Sequence, residues 1–252
     1  MNFRGILVTE ILYFLDCYLK EFEATVEEVS ENKYVVLDRT AFYPESGGQP
    51  NDTGKLIREE DGALFDVIYV GKFDGKISHE IIPSKGALSG LKPGDRVYGF
   101  IDWDRRYRFM RMHTATHIIA NVIEKETGAQ ITGNQLGLEQ SRVDFSLETF
   151  NRDMFAEYEK MANEIIAANR PVNFYLVSRK EAEEKLPRLT TLAKGFSEEI
   201  TEVRLVEIEG VTIEACGGTH VKNTEEVKGI KIEKLQNKGK NNRRMYFTTL
   251  QA

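Results

Sequence analysis

Short apolar stretches separated by turn signals run through residues 21–100. Alternation of apolar and polar residues is typical of half-buried strands, and short strands at this spacing are typical of small barrels. The stretches are Glu23–Val29, Tyr34–Leu37, Leu64–Val70 and Val97–Asp102, and the turn signals are Asp61-Gly62, Asp74-Gly75 and Lys92–Asp95. The pattern therefore predicts a small β-barrel in this half of the chain.

Helical spacing replaces the strand pattern after Asp104. The positions at this spacing are Phe109, Met112, His113, Thr116, His117 and Ala120, and Thr127-Gly128 marks the end of the predicted helix. A second helix is predicted from about Arg152 to Asn169, with Pro171 as its stop. Ser178 and Glu181 have the spacing of a capping box, which predicts a short third helix.

Strand-like stretches return near the C-terminus. They are Glu202–Glu207, Val211–Glu214, Gly229–Leu235 and Met245–Leu250. Helices and strands in separate runs indicate an α+β fold. We therefore expect two domains, a small β-barrel over residues 1–103 and an α+β domain over residues 104–252.

The charge of the chain is unevenly distributed. The 252 residues carry a net charge of −6, which argues against a general nucleic-acid coat protein. From Lys222 onward, however, eight basic and three acidic residues give +5, and a second basic run contains Arg105, Arg106, Arg108 and Arg111. Local basic surfaces on an acidic protein suit a specific polyanion bound at one place. Solvated surface charge without a partner explains the same pattern equally well.

The sequence predicts neither a membrane span nor a secretion signal. No stretch reaches the roughly 20 consecutive apolar residues that a spanning helix needs, and the N-terminal run Ile6–Val8 soon meets Glu10 and Asp16. The two cysteines, Cys17 and Cys216, cannot form the disulfide framework of a secreted domain. We therefore expect a cytoplasmic protein with no membrane partner and no obligate protein partner.

Three of the four histidines and one cysteine fall into two compact clusters. His113 and His117 are four residues apart on a predicted helix, so both imidazoles lie on one face. Cys216 and His220 are separated by Gly217-Gly218-Thr219, and the glycines allow the thiolate and the imidazole to point the same way. Three imidazole nitrogens and one sulfur form a tetrahedral set that suits Zn²⁺. The sequence therefore predicts a zinc site.

Four protein ligands favour a structural zinc site, because catalytic zinc normally keeps a position open. A zinc protease is disfavoured further, since the residue after His113 is Thr114 and not the glutamate of the His-Glu-x-x-His arrangement. Outside the clusters, we expect His79 to be an ordinary surface residue. We expect Cys17 to be a small packed hydrophobic residue.

A glycine-containing loop lies at Phe42–Gln49. Gly47 and Gly48 permit positive φ angles and a close approach to the backbone, and Gln49 adds hydrogen-bonding groups. The loop is not a phosphate-binding P-loop, because the Lys-Ser/Thr ending is missing. A plain β-turn explains these residues as well as a binding role does.

Four motifs together resemble the editing domain of alanyl-tRNA synthetase. They are His113–His117, Cys216–His220, Phe42–Gln49 and Arg142–Ser146. The resemblance runs from about residue 20 to the C-terminus, and the chain is similar to the free-standing editing proteins of the AlaX type. The glycine loop and its barrel imply the medium or long form. Because the chain has no room for aminoacylation and tRNA-binding domains, the resemblance implies a stand-alone editor.

The resemblance implies that the chain hydrolyses the ester bond of mischarged alanine tRNA, chiefly the seryl ester, with the glycyl ester as a second candidate. It implies one zinc ion per chain, bound by His113, His117, Cys216 and His220. A second site of this kind is needed because a pocket built for a methyl group cannot strongly reject a side chain that only adds a hydroxyl.

The resemblance also implies which residues meet the substrate. The residues assigned to the reaction site are Thr116, Gln49 and Asn134. At the third position an alignment from Gly128 places Gly133 opposite the polar residue of the synthetase, and Asn134 and Gln135 are the substitutes. The residues assigned to the bound tRNA are Gly47, Gly48, Arg105, Arg106, Arg243 and Arg244, the arginines through acceptor-stem phosphates.

Two other classes of function stay open at this point. A non-catalytic RNA-binding module with a structural zinc would bind tRNA without turnover. A zinc hydrolase of small esters or peptides would need no tRNA and would not lose activity as salt is added.

Overall fold

The computed structural model describes residues 9–84, 89–148, 151–186 and 202–250. The chain divides into two compact units, Met1–Arg108 and Phe109–Ala252. The separate functions predicted for residues 1–103 and 104–252 stay predictions. Barrel, sheets and helices together make an α+β fold, which confirms the expected fold class.

In residues 9–84 and 89–108, which the structure describes, the first unit contains eight strands. They are β1 (Glu10–Ile11), β2 (Glu21–Ser30), β3 (Tyr34–Leu37), β4 (Arg39–Thr40), β5 (Gly54–Arg58), β6 (Leu64–Phe73), β7 (Lys76–Pro83) and β8 (Arg96–Ile101). Six of them close into an antiparallel barrel in the order β2-β3-β7-β6-β5-β8, which confirms the predicted barrel. Inward-facing Val35, Leu56 and Phe65 are fully buried in its core. The sequence pattern missed β5 and β7.

His79 on β7 is buried, so its prediction as a surface residue is wrong. Its side chain has no exposed surface, Nε2 lies 2.9 Å from Thr40 Oγ1, and Nδ1 lies 2.9 Å from the Val35 carbonyl oxygen. Polar Ser78 and Glu80 on either side gave the misleading signal. Burial lowers the pKa of His79 to about 4, against an ordinary value of 6.5.

A buried ion pair lies at the end of the first unit. Arg106 and Asp52 have no exposed side-chain surface, and the Arg106 Nε atom is 3.0 Å from both carboxylate oxygens of Asp52. The same guanidinium donates to the carbonyl oxygens of Cys17 at 2.9 Å and Ala41 at 2.5 Å. Cys17 is buried, as predicted, and its thiol donates to the Tyr13 carbonyl oxygen at 3.5 Å. The arginine therefore joins three separate stretches of chain.

The long helix α1 (Trp103–Thr127) crosses the boundary between the units. It begins six residues before the first apolar position that predicted it. The Asp102 side chain accepts a hydrogen bond from the Arg105 backbone N–H at 3.3 Å, which is the contact of an N-cap residue. The predicted end at Thr127 is confirmed, and Gly128 follows with a φ of +73°.

The described part of the second unit, residues 109–148, 151–186 and 202–250, contains two antiparallel sheets and two further helices. Its elements are β9 (Ile131–Gln135), β10 (Ser141–Phe145), α2 (Arg152–Ala167), β11 (Val172–Ser178), α3 (Arg179–Lys185), β12 (Glu202–Ile208), β13 (Thr212–Ala215), β14 (Ile230–Gly239) and β15 (Asn242–Thr249). The sheet orders are β14-β15-β10-β9 and β11-β12-β13. The predicted helices and the four predicted strands are confirmed, with ends shifted by a few residues. The pattern missed β9, β10 and β11.

Local sequence signals explain the two shorter helices. Ser178 and Glu181 form the predicted capping box at the start of α3. Asn151 caps α2, which buries Phe155, Tyr158 and other apolar residues along one side. None of the helices in the described ranges has the length and apolar character needed to cross a membrane.

The buried histidine makes stability depend on pH. The folded protein keeps His79 neutral down to about pH 4, whereas the unfolded chain protonates it below about 6.5. The unfolded state then binds more protons in this window, so the free energy of unfolding rises with pH between about 4 and 6.5, by up to about 3 kcal/mol from this group. We expect His79→Gln to flatten that rise, as measured by urea unfolding at several pH values.

The matched control is Glu80→Gln at the next position, where the carboxylate forms a half-exposed pair with Lys33. This variant should keep the wild-type slope between pH 5 and 7. Parallel profiles for His79→Gln and the wild type would contradict the prediction.

Candidate metal centre

Four side chains from two distant parts of the chain converge in the second unit. His113 and His117 come from one face of α1, and Cys216 and His220 come from the loop after β13. One donor atom from each residue lies within 4.8 Å of all the others. The structure thus brings together the four residues that the spacing predicted.

The distances within this cluster fit a tetrahedral ion. Cys216 Sγ is 3.5 Å from His113 Nε2 and 3.3 Å from His220 Nε2. Zinc bond lengths of about 2.3 Å to sulfur and about 2.05 Å to nitrogen, at the tetrahedral angle, place the two ligand atoms about 3.6 Å apart. The observed separations agree, so the four residues could hold one metal ion.

Electrostatics inside the cluster favour the ligating form of Cys216. Burial alone would raise the pKa of the thiol, but the neighbouring imidazoles, that of His113 most strongly, hold the pKa well below its ordinary value. Burial and the charge of His113 together hold the pKa of His220 well below 6.5. His220 is therefore neutral at physiological pH, as a ligand must be.

His117 behaves differently from His220. Burial alone would lower its pKa, but the Glu214 carboxylate and then Cys216 outweigh burial and raise the pKa well above 6.5. Its Nδ1 atom lies 3.4 Å from Glu214 Oε2, within ion-pair distance but without the geometry of a hydrogen bond. A metal ion would therefore displace a proton from His117 on binding.

Three residues around the ligands were missed by the sequence analysis. Thr114 Oγ1 lies 3.1 Å from His220 Nδ1, which leaves Nε2 facing the cluster. Glu214 faces His117, and Arg204 donates to the carbonyl oxygens of Cys216 and Gly218. Partners of this kind orient metal-binding side chains. Thr114 and Glu214 stand one and two residues from a ligand, which was the available signal, whereas Arg204 had none.

Comparison with known proteins identifies the family. The model described as tRNA synthetases class II (A) matches residues 8–105, and the threonyl and alanyl tRNA synthetase second additional domain matches residues 203–246, which include Cys216 and His220. The alanyl-tRNA editing protein AlaX-M of Methanosarcina acetivorans is 81% identical over 244 residues, covering 96% of this chain and 100% of that protein. This chain belongs to the AlaX-M family. AlaX-M of Saccharolobus solfataricus is 43% identical over 242 residues, covering 96% of this chain and 99% of the relative.

The chain also matches part of a larger enzyme. An alanine–tRNA ligase of Saccharolobus islandicus is 39% identical over 227 residues. The match covers 89% of this chain but only 25% of the ligase. The similarity to the synthetase expected from the four motifs is therefore confirmed.

Two of the residues that the sequence assigned to the reaction site lie in the second unit. Thr116 is buried on α1, and its hydroxyl donates to the Met112 carbonyl oxygen at 2.8 Å. The Thr116 oxygen therefore has only acceptor capacity left for a ligand. Asn134 is half-buried on β9, where it pairs with Val143 of β10. Their contact with a substrate stays a prediction.

The glycine loop belongs to the first unit. Gly47 and Gly48 have φ angles of +58° and +84°, in the region that favours glycine. The backbone groups of Ser46 and Gln49 bond to each other and close the loop, and Gln49 has no exposed surface. The contact between the Gln49 amide and an aminoacyl group stays a prediction. A binding role for Gly47 and Gly48 stays a prediction.

Two of the four arginines assigned to tRNA phosphates are buried. Arg106 is enclosed with Asp52, and Arg243 donates to the carbonyl oxygens of Gly239 and Glu148. The prediction that these two contact phosphates is wrong, because a buried guanidinium with protein acceptors is not accessible to a nucleic acid. Arg105 is half-buried and Arg244 forms a two-bond pair with Asp144, and for these residues the phosphate contact stays a prediction.

We expect this protein to bind one Co²⁺ ion with a thiolate-to-cobalt absorption band in the near ultraviolet. Cys216→Ser should abolish this band and weaken metal binding by more than about 100-fold, since even partners behind the ligands contribute about 10- to 100-fold. Cys17→Ser is the matched control and should keep both properties, because Cys17 lies outside the cluster. If the band survived in Cys216→Ser, the prediction that Cys216 is a metal ligand would be wrong.

Proposed function

We propose that this protein hydrolyses the ester bond between a wrongly attached amino acid and the tRNA for alanine, with one Zn²⁺ in its metal centre. Serine is the chief amino acid removed and glycine the second. The observation that carries the proposal is the convergence of His113, His117, Cys216 and His220 within 4.8 Å. It occurs in a chain 81% identical to an alanyl-tRNA editing protein over almost its whole length.

Residues of this chain would both hold the metal ion and orient the side chains that bind it. His113, His117, Cys216 and His220 would hold the ion, and Thr114 and Glu214 would orient the imidazoles of His220 and His117. When bound, zinc supplies a positive charge that polarises an ester carbonyl or lowers the pKa of a water molecule. Gly217 is the exposed residue of the loop, so the loop is open to solvent there.

Thr116 provides a physical basis for selecting serine. Its hydroxyl proton is already donated to Met112, so its oxygen is left to accept a hydrogen bond. The hydroxyl of a seryl ester is a donor, whereas the methyl group of an alanyl ester is not. A buried acceptor left without a donor costs about 1–3 kcal/mol, which corresponds to about a 10- to 100-fold preference.

The tRNA would be met by exposed basic residues of the β14–β15 hairpin. Lys231, Lys234, Lys238 and Lys240 are all exposed, in contrast to buried Arg243. The stretch from Lys222 onward carries +5 in a protein of net charge −6. A lysine ammonium is a compact, mobile point charge that suits phosphate contacts.

Deacylation is tested with seryl-tRNA and alanyl-tRNA, both on alanine tRNA, with zinc content measured on each sample. We expect rapid release of serine, slow release of alanine, and loss of both zinc and activity in His113→Ala. Thr116→Val should narrow the preference for serine by about 10-fold or more, since it removes the acceptor. Glu126→Gln, on the exposed part of the same helix, is the matched control and should behave as wild type.

The two alternative classes give different results in this assay. A tRNA-binding module with a structural zinc would bind seryl-tRNA and release nothing. A small-ester hydrolase would cleave seryl esters equally well with and without the tRNA body. Full activity in a zinc-free variant would overturn the role of the metal.

The basic hairpin is tested by reversing Lys238 and Lys240 together. We expect Lys238→Glu/Lys240→Glu to raise KM for seryl-tRNA at low salt while kcat changes little. The plot of log KM against log salt should become shallower by about two, because each lost phosphate contact removes about one released counterion. Lys160→Glu, exposed on α2, is the control and should leave the slope unchanged. An unchanged slope in the double variant would show that these lysines do not meet the tRNA.

A further inference from the structure

The loop Cys216–His220 supplies two of the four metal ligands but has little rigidity of its own. It lies outside the strands, and Gly217 and Gly218 adjoin each other within it. Glycine loses more conformational freedom on ordering than any other residue. Within the loop, the Gly218 N–H donates to Cys216 Sγ at 3.4 Å. Contacts from elsewhere in the fold are needed to restrain the loop that carries both groups.

Arg204 on β12 makes such contacts from beneath the loop. One of its terminal nitrogens donates to the carbonyl oxygen of Cys216 at 2.9 Å and to that of Gly218 at 2.8 Å. The Arg204 carbonyl oxygen in turn accepts from the Cys216 backbone N–H at 3.0 Å. Arg204 is only 5% exposed, so these bonds form away from competing water.

Phe174 on β11 holds the guanidinium from its other side. The Arg204 Cζ atom lies 4.5 Å from the centroid of the Phe174 ring, a cation–π contact. The Phe174 ring centroid is also 6.4 Å from that of His220. Leu176 pairs with Arg204 across the sheet, and Phe174, two residues earlier on the same strand, shares its face. Arg204 therefore contacts the Cys216 end of the loop, and Phe174 lies beside its His220 end.

We infer that Arg204 is the positioning residue of the metal centre, which fixes Cys216 so that its sulfur meets the three imidazoles. The inference rests on the metal site of the proposed function. The Cys216 carbonyl is attached to the same Cα as the thiol side chain, so restraining one restrains the other. A lysine would keep the charge but lose the planar group that stacks on Phe174 while its N–H groups reach two carbonyls.

The test uses the full chain, stripped of metal and titrated with Co²⁺ against a competing chelator. We expect Arg204→Met to bind Co²⁺ about 10- to 100-fold more weakly and to shift the thiolate-to-cobalt band, because residues that orient ligands contribute about this much. Arg204→Lys should fall between Arg204→Met and wild type. Arg170→Met is the matched control, because Arg170 also donates to a carbonyl, that of Glu209, without contacting the ligands.

Each outcome decides the inference. Wild-type affinity and an unshifted band in folded Arg204→Met would overturn the role of Arg204 while leaving the metal site intact. A wild-type chain that binds no Co²⁺ would overturn the metal site and with it the role of Arg204. If circular dichroism shows that Arg204→Met does not fold, Phe174→Leu decides, since it removes the ring and keeps the guanidinium. We expect a shifted band in Phe174→Leu, and an unshifted one would overturn the inference.

Discussion

The second unit depends on one requirement, that four potential ligands from two distant segments meet at one point. Helix α1 satisfies half of it by geometry alone, since two histidines four residues apart must share a face. The other half comes from a loop with two glycines, in which the Gly218 N–H donates to the Cys216 thiol. Its order comes from β12 beneath it, through the Arg204 side chain and backbone. A rigid helix and a supported loop together define the centre.

The clustered side chains also affect one another's pKa values. Cys216, His117 and His220 lie close together, so the charge on each group shifts the pKa of the others. The pKa values of Cys216 and His220 are lowered, while the Glu214 carboxylate raises that of His117. A divalent ion would supply positive charge at this point in place of a proton on His117. The arrangement is therefore suited to a metal before any metal arrives.

The sequence predicts those features that local spacing determines. The metal ligands, the capping box of α3 and the barrel all follow from patterns within a few residues. Burial of a polar residue inside a strand does not, and His79 between Ser78 and Glu80 carries no local sign that Thr40 lies opposite. The same limit hid Arg204, whose acceptors are 12 and 14 residues away along the chain.

Runs of basic residues in the sequence are a poor guide to exposed positive charge. An arginine can be buried against protein acceptors as well as exposed to solvent. Arg106 is buried with Asp52 and two carbonyl oxygens, and removing one partner from such a pair is expected to cost about 3–5 kcal/mol. Arg243 likewise donates to backbone oxygens, that of Gly239 in its own hairpin and that of Glu148 after β10. The guanidinium is weakly hydrated and has a fork of donors, so it can be enclosed where several acceptors meet. The strongly hydrated lysines of the same hairpin stay outside.

The contrast between exposed lysines and buried polar groups bears on how an editing enzyme would combine affinity for tRNA with selectivity for one aminoacyl ester. Exposed lysines attract any tRNA, because phosphates are the same in every sequence, and so they cannot distinguish a seryl ester from an alanyl ester. That distinction needs a buried polar atom whose partner is present in only one substrate. Thr116, with its proton committed to Met112 and 3% of its surface exposed, meets this description on the same helix as His113 and His117. Under the proposed function, binding and discrimination would reside in different residues, so that each could change without the other.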